Sequence, residues 1–250
     1  MFSDFACPWC YITKRRLEAA IDSLPANIAA RTHWRPFPIP RPSRDHEAEA
    51  FLTRLGASEG ITFAFDRITG EPDTGEAHRL VVWAQQDPRP PHVIAALVEG
   101  IYRAHFSEGS DIGDRATLAT IARESGLTGV RFEGRREGRG ATIVTRESQR
   151  RARALGIDTI PFLLINGHVG IRGSRSTSFL LQKIQGASWF GPSRASGLAG
   201  DRRKVTRAPT HERRAVEALI DDILDDTFPA SDAPTWGTAA NRIRRQEREH

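Results

Sequence analysis

The chain of 250 residues holds only two cysteines, Cys7 and Cys10, with Pro8 and Trp9 between them. This pair constrains the fold and its purpose more than any other feature. A disulfide-stapled fold needs more cysteines, spread along the chain. A bridge across two residues closes too short a loop to restrict the unfolded chain much. The pair is therefore better explained by chemistry than by stability. Pro8 suits the first turn of a helix, where its missing N–H costs nothing. Leu17, Ala20, Ile21 and Leu24 follow at helical spacing. The motif thus opens a helix, and Cys7 there faces unpaired N–H groups and the positive end of the helix dipole, which favour thiolate. Such a thiolate attacks a disulfide sulfur, and a second cysteine one turn further in resolves the mixed disulfide. On this reading Cys7 is the attacking thiol and Cys10 the buried resolving one, with Pro8 and Trp9 tuning the potential. Two alternatives stand beside it. Half of a zinc site uses the same spacing but needs two further ligands, and the eight histidines form no close pair. An inert pair of core cysteines is the other.

The rest of the pattern is α/β. Phe2–Phe5 reads as the tail of a strand, and Ile28–Phe37 as a second strand stopped by Pro36, Pro38, Pro40 and Pro42. Residues 43–156 read as mostly helical. Ala77, Leu80, Val81 and Ala84 share a face of a helix over Thr74–Gln86, which Pro88, Pro90 and Pro91 break. Ile94, Leu97, Val98, Ile101 and Tyr102 line another over Val93–Phe106. Asp114 caps a helix running to Arg123 before Gly126. Arg131–Gly140 reads as a charged connection and Thr142–Leu155 as a helix. Pro161–Ile165, the turn signal Asn166-Gly167 and His168–Ile171 make a hairpin, and Ser176–Gln185 a closing helix. Taken alone, Pro161 is a strand-entry proline, placed where a strand tolerates one.

Composition adds limits. No apolar run approaches a membrane span. The start carries neither a charged nor an apolar leader region, so a cytoplasmic setting is expected. A net charge of +5 selects no partner. Arg131–Arg153, Arg202–Arg207 and Arg242–Arg248 make a basic binding protein the rival from another class, but only Phe132 interleaves an aromatic, and charge runs are mostly solvated faces. Nucleic acid is therefore not the expected partner.

Ser3-Asp4-Phe5-Ala6-Cys7-Pro8-Trp9-Cys10-Tyr11-Ile12, followed by Lys14-Arg15-Arg16-Leu17, resembles the opening of the DSBA-like thioredoxin family, in particular its FrnE-like branch. Trp34-Arg35-Pro36-Phe37, Ala77-His78-Arg79-Leu80, Ala104–Gly109 with Asp111-Ile112, and Gly156–Phe162 resemble later family segments in the same order. The likeness covers residues 1–186. It implies a thioredoxin-like fold with a helical insertion: residues 1–42 and 157–186 form the two thioredoxin-like parts and residues 43–156 the insertion. It also implies disulfide exchange, with Cys7 as nucleophile, Cys10 as resolving thiol and Pro161 as a cis-proline. The backbone of Ile160 would pair with a substrate chain, and Pro8 and Trp9 would flank it. The substrate is a thiol or disulfide, on a protein or a small molecule. No cofactor is implied beyond the redox-active disulfide, with glutathione as the one candidate co-substrate. Kappa-class glutathione transferases and 2-hydroxychromene-2-carboxylate isomerases resemble the same architecture, but they carry serine where Cys7 stands and lack the second cysteine.

The sequence departs from the family in three places. The first strand begins in its middle, so a native chain starting further upstream is expected. Asp158-Thr159 replaces the commoner small residue and glycine before the cis-proline. Residues 187–250 lie beyond the family domain: a Gly/Ser/Pro/Arg linker over 187–210, an amphipathic acidic helix and Thr227–Trp236 segment over 211–236, and a polar tail over 237–250. The apolar helix face, with Val216, Leu219, Ile220, Ile223 and Leu224, would dock on its own domain or a partner.

Overall fold

The computed structural model describes residues 1–40, 45–70, 72–86, 89–127 and 137–188. The expected linker, acidic helix and tail beyond residue 188 lie outside them. β1 (Phe2–Ser3) leads through a turn into α1 (Pro8–Asp22), and β2 (Arg35–Pro36) follows. Five helices come next: α2 (His46–Ser58), α3 (Gly75–Ala84), α4 (Pro91–Phe106), α5 (Arg115–Glu124) and α6 (Glu137–Ala154). A short 3-10 turn, Phe65–Arg67, lies between α2 and α3. The hairpin β3 (Phe162–Ile165) and β4 (Val169–Arg172) and the helix α7 (Thr177–Ser188) close the domain. The sheet order is β2-β1-β3-β4, with β1 parallel to β2 and antiparallel to β3. This is a thioredoxin-like α/β fold with its helical block inserted between β2 and β3. Among the described residues no helix is long and apolar enough to cross a membrane.

The local chemistry explains the element ends. Pro8 occupies the first turn of α1, with Cys7 as the capping residue in extended conformation. Asp45 and Asp114 accept backbone N–H bonds at the starts of α2 and α5. Asn166 and Gly167 both take positive φ, 51° and 81°, which is what a tight two-residue hairpin turn requires.

Several boundaries differ from the sequence reading: β1 stops at Ser3 rather than Phe5, α3 at Ala84 rather than Gln86, and others shift by a residue; four differences have a clear physical reason. The strand expected over Ile28–Phe37 shrinks to Arg35–Pro36, because its neighbour β1 offers a ladder only at Phe2 and Ser3. Residues 28–33 instead line a cavity of about 350 Å³ together with Leu163–Asn166. Pro91 does not break a helix. It begins α4, since a proline in the first turn leaves no bond unmade. α6 starts at Glu137, five residues before the expected Thr142 and inside the stretch read as a connection. α7 runs past Gly186 to Ser188, because Ala187 is buried and extends its apolar face.

The core is shared between sheet and helices. Tyr11 of α1 stacks on Tyr102 of α4 with ring centroids 4.9 Å apart. Phe63, Phe65 and Phe106 extend this cluster edge-to-face and stacked. Gly56 of α2 is required where it stands, since a Cβ there would lie 2.4 Å from the Phe63 ring. A polar clamp also ties α1 to α4. Glu99 accepts from Tyr11 Oη at 2.6 Å, Lys14 Nζ at 2.6 Å and Arg15 Nη2 at 2.7 Å. Lys14 is buried, and its second contact is Glu18, one turn along at 2.7 Å.

Candidate active site

Cys7 and Cys10 sit where β1 gives way to α1. The turn is held by the Asp4 carbonyl, which accepts from Cys7 N–H at 3.2 Å. The Cys7 carbonyl then accepts from the N–H groups of Cys10 at 3.0 Å and Tyr11 at 3.3 Å, opening the helix. No side chain caps the first N–H groups of α1, so their partial positive charge faces the Cys7 side of the turn. Cys7 keeps 5 % of its surface and Cys10 none, which makes Cys7 the thiol a substrate can reach. Both are free thiols. Burial first, then the hydrogen bond with Cys7 and its charge, push the Cys10 thiol well above its ordinary pKa, with the Asp4 carboxylate adding to the rise. A hydrogen bond from the Asp4 backbone acts the other way.

The other residues singled out from the sequence fall at different distances from this pair. Pro8 is the first residue of α1. Trp9 is half-buried, its ring 6.2 Å from Phe51 of α2, and Phe51 is 44 % exposed. Together they make an apolar edge beside the motif. The Ile160–Pro161 peptide is cis, and the Pro161 carbonyl accepts from Gly173 N–H at 2.9 Å. Phe162 pairs with Phe2 across the antiparallel ladder. Continuing that register sets Pro161 opposite Ser3, so the cysteine turn and the cis peptide leave the sheet at the same end. Ile160 is half-buried and packs against the core that includes both cysteines. Asp158 and Arg172 form an ion pair beside this segment.

Sequence spacing gave no warning of a buried polar group beneath the turn. Asp4 is 1 % exposed and His78 of α3 is 3 % exposed. Asp4 Oδ1 lies 3.1 Å from His78 Nε2, and Asp4 Oδ2 accepts from Ile39 N–H at 3.0 Å. Thr74 adds a side-chain hydrogen bond. Burial opposes ionisation of Asp4, but the hydrogen bond and charge of His78, with Ile39 and Thr74, outweigh it and hold the carboxyl below its ordinary range. Tyr102 donates from its hydroxyl to the Asp4 carbonyl at 3.2 Å. Burial, and then the charges of Cys10 and Cys7, push this phenol well above its ordinary pKa. Phe5 fills the space between, with ring centroids 4.8 Å from His78 and 4.9 Å from Tyr102. Asp4 and His78 are 74 residues apart, so only the weak signal of a shared family motif could have linked them. Among the described residues, no group of three or more His, Cys, Asp and Glu side chains is arranged to hold a metal ion.

Fold and site together define a class: a thioredoxin-like domain with Cys-x-x-Cys at the start of its first helix and a cis-proline leading the strand alongside. Residues 1–185 match the DSBA-like thioredoxin domain, and the chain belongs to that family. It is similar to the uncharacterized protein YwbO of Bacillus subtilis, at 24 % identity over 181 residues covering 68 % of this chain and 86 % of that protein. Among solved structures it is similar to a probable DsbA oxidoreductase of Streptomyces coelicolor, with 22 % identity, coverage of 83 % of this chain and 92 % of that one, and a TM-score of 0.57. A second is the cytosolic disulfide reductase DsbM of Pseudomonas aeruginosa, with 22 % identity, coverage of 76 % and 94 %, and a TM-score of 0.51. At these identities the structural likenesses speak to fold.

Proposed function

We propose that this chain is a thiol–disulfide oxidoreductase that works through Cys7 and Cys10. The observation that carries the reading is the pair of free thiols two residues apart at an uncapped helix start, one reachable and one fully buried. In the reducing direction the Cys7 thiolate attacks one sulfur of a substrate disulfide, and the departing substrate sulfur takes a proton. Cys10 then loses its proton and attacks Cys7 Sγ, which releases the second substrate thiol. The chain is left with a Cys7–Cys10 disulfide, having given two electrons to the substrate. The oxidising direction is the same sequence reversed. Cys7 makes the first attack because it stands at the uncapped start of α1 and is the reachable member of the pair. The high pKa of Cys10 keeps it a thiol until the mixed disulfide brings it into play.

Ile160 and Pro161 would receive an extended substrate segment, since they leave the sheet at the end that presents Cys7. Pro8, Trp9 and the Phe51 ring would bound it with apolar surface. The substrate is a thiol or disulfide on a protein or small molecule, with glutathione as the co-substrate that resets the pair. The absence of cysteines outside the motif fits work in a reducing cytoplasm. Two facing thiols favour exchange over conjugation to glutathione, which needs only one activated group.

The test is a redox titration of the full chain against glutathione and its disulfide, read by thiol alkylation and intact mass. A reversible intramolecular Cys7–Cys10 disulfide is expected, and Cys7→Ser should lose more than a hundredfold in disulfide-exchange rate. Failure to form that disulfide, or a Cys7→Ser chain with full exchange activity, overturns the proposal. Cys10→Ser should accumulate the mixed disulfide on Cys7.

A further inference from the structure

The exchange steps leave one opening in the sheet without a task. It is the cavity of about 350 Å³ that residues 28–33 and Leu163–Asn166 line together. Met1 lines it too, and α1 and α7 give it an apolar wall through Leu17, Ile21, Leu180 and Ile184. β1 lies between β2 and β3, parallel to the first and antiparallel to the second. Residues before Arg35 and after Phe162 therefore flank the line of β1 on the side of Met1 away from Cys7.

The backbone groups on these flanks are those of open strand edges. The Met1 amino group donates to the His33 carbonyl at 2.6 Å, and the Met1 carbonyl accepts from Arg35 N–H at 2.8 Å. That is the bonding of one residue in a parallel ladder. The next bonds of the ladder would use His33 N–H and the Arg31 carbonyl, and among the described residues neither has a backbone partner. On the other flank, the bond from Gly173 N–H to the Pro161 carbonyl fixes the alternation of β3. Leu163 and Ile165 turn their backbone groups to β4. Leu164 turns its own toward the line of β1, beyond the Phe2↔Phe162 pair. Backbone groups beside a packed core rarely go without partners. The amino group is a separate sign. Met1 is 7 % exposed. Burial, then the Arg35 charge, lower its amino group from 8.0 to about 5, with the Cys10 charge acting the other way. An amide N–H in the same place would make the same bond to His33 with no charge to bury.

We propose that the cavity is a strand site, filled by an extended segment of this chain that leads into Met1 and lengthens β1 by about three residues or more. The register sets its pattern. Leu164 and Asn166 fall opposite the first and third residues before Met1. The second bonds the Arg31 carbonyl and His33 N–H. Its side chain shares the face of Met1 and meets the apolar wall, so an apolar residue is expected there. The inference rests on the sheet and not on the exchange reading, which no outcome below touches.

The experiment compares amide hydrogen exchange at His33 and Leu164 in the 250-residue chain and in the same chain preceded by Met-Lys-Val-Thr. Both amides should slow by at least about tenfold in the extended chain, since a ladder bond closes over each. Met-Lys-Asp-Thr sets a charge against the apolar wall and should slow them by less than about twofold. No slowing by the first extension, or equal slowing by both, overturns the inference. So does equal protection from an equimolar separate peptide, acetyl-Lys-Val-Thr-amide, which would assign the site to another chain. N-terminal sequencing of the protein from its native cells is the second measurement and depends on no designed residue. Residues ahead of Met1, with an apolar one in the second place, are expected. An N-terminus at Met1 overturns the inference.

Discussion

The sheet and the helices hold the cysteine turn by different means. Below the turn, β1 and β2 span two residues each and β1 meets β3 at a single registered pair. Beside it, α3 and α4 supply whole side chains: His78 bonds Asp4, Tyr102 bonds the Asp4 carbonyl, and Phe5 packs between their rings. A backbone ladder this short fixes few dihedrals. The buried aromatic and polar contacts from the helical block therefore carry much of the task of placing Cys7. The helical insertion is, in packing terms, part of the floor on which the cysteine turn rests.

That contrast can be broken most directly by emptying the helical side. Tyr102→Ala should destabilise the fold by about 3–5 kcal/mol in urea denaturation, since it removes a fully buried ring and leaves a cavity. Leu163→Ala, on the sheet side, should cost less, about 2–3 kcal/mol. A larger loss from Leu163→Ala than from Tyr102→Ala would reverse the ranking of the two regions.

Glu99→Gln tests the clamp between α1 and α4. It should cost about 1–3 kcal/mol, because it leaves Lys14 buried without its full countercharge, while the partial exposure of Glu99 softens the loss. Burial opposes ionisation of Glu99, but the charge and hydrogen bond of Lys14, with Tyr11 and Arg15, win and hold its carboxyl below the ordinary 4.5. A depressed carboxylate contributes stability that is present above the unfolded value and lost as pH falls through the folded one. Stability of the parent chain should thus drop on acidification below about pH 4.5, with Asp4 contributing in the same sense. The drop should be shallower in Glu99→Gln. An identical acid profile in the two proteins would show that the clamp contributes nothing.

The smallest effect is expected away from both regions. Asp45→Ala removes the cap of α2 and should cost about 1 kcal/mol, with no change in the redox equilibrium of Cys7 and Cys10. A shift in that equilibrium would mean that α2 governs the pair through Phe51 and Trp9 more closely than the contacts suggest.

The features legible in the sequence were local ones. Helical spacing after Pro8, the Asp114 cap, the Asn166-Gly167 turn and the apolar stripes of α3 and α4 each depend on neighbours a few residues apart, and the chain states them directly. The misread boundaries have a common origin. Residue type alone marks Pro91 as a breaker and residues 137–140 as a connection, whereas α4 begins where a first turn tolerates proline and α6 takes in 137–140. The strand expected over residues 28–37 had the right composition, but a strand forms only where a neighbour offers a ladder, and β1 offers one at Phe2 and Ser3 alone.

The cysteine pair, its place at a helix start and the proline that opens β3 were thus determined by the sequence alone, because spacing of two or three residues sets them. What surrounds the pair was decided only by the tertiary structure. Asp4 meets His78 across 74 residues, and Cys10 loses all contact with solvent inside the core that helices and sheet share. Long-range packing creates both the low-dielectric space and the fixed charge within it. No local pattern encodes either, because each arises from side chains that become neighbours only when the chain has folded.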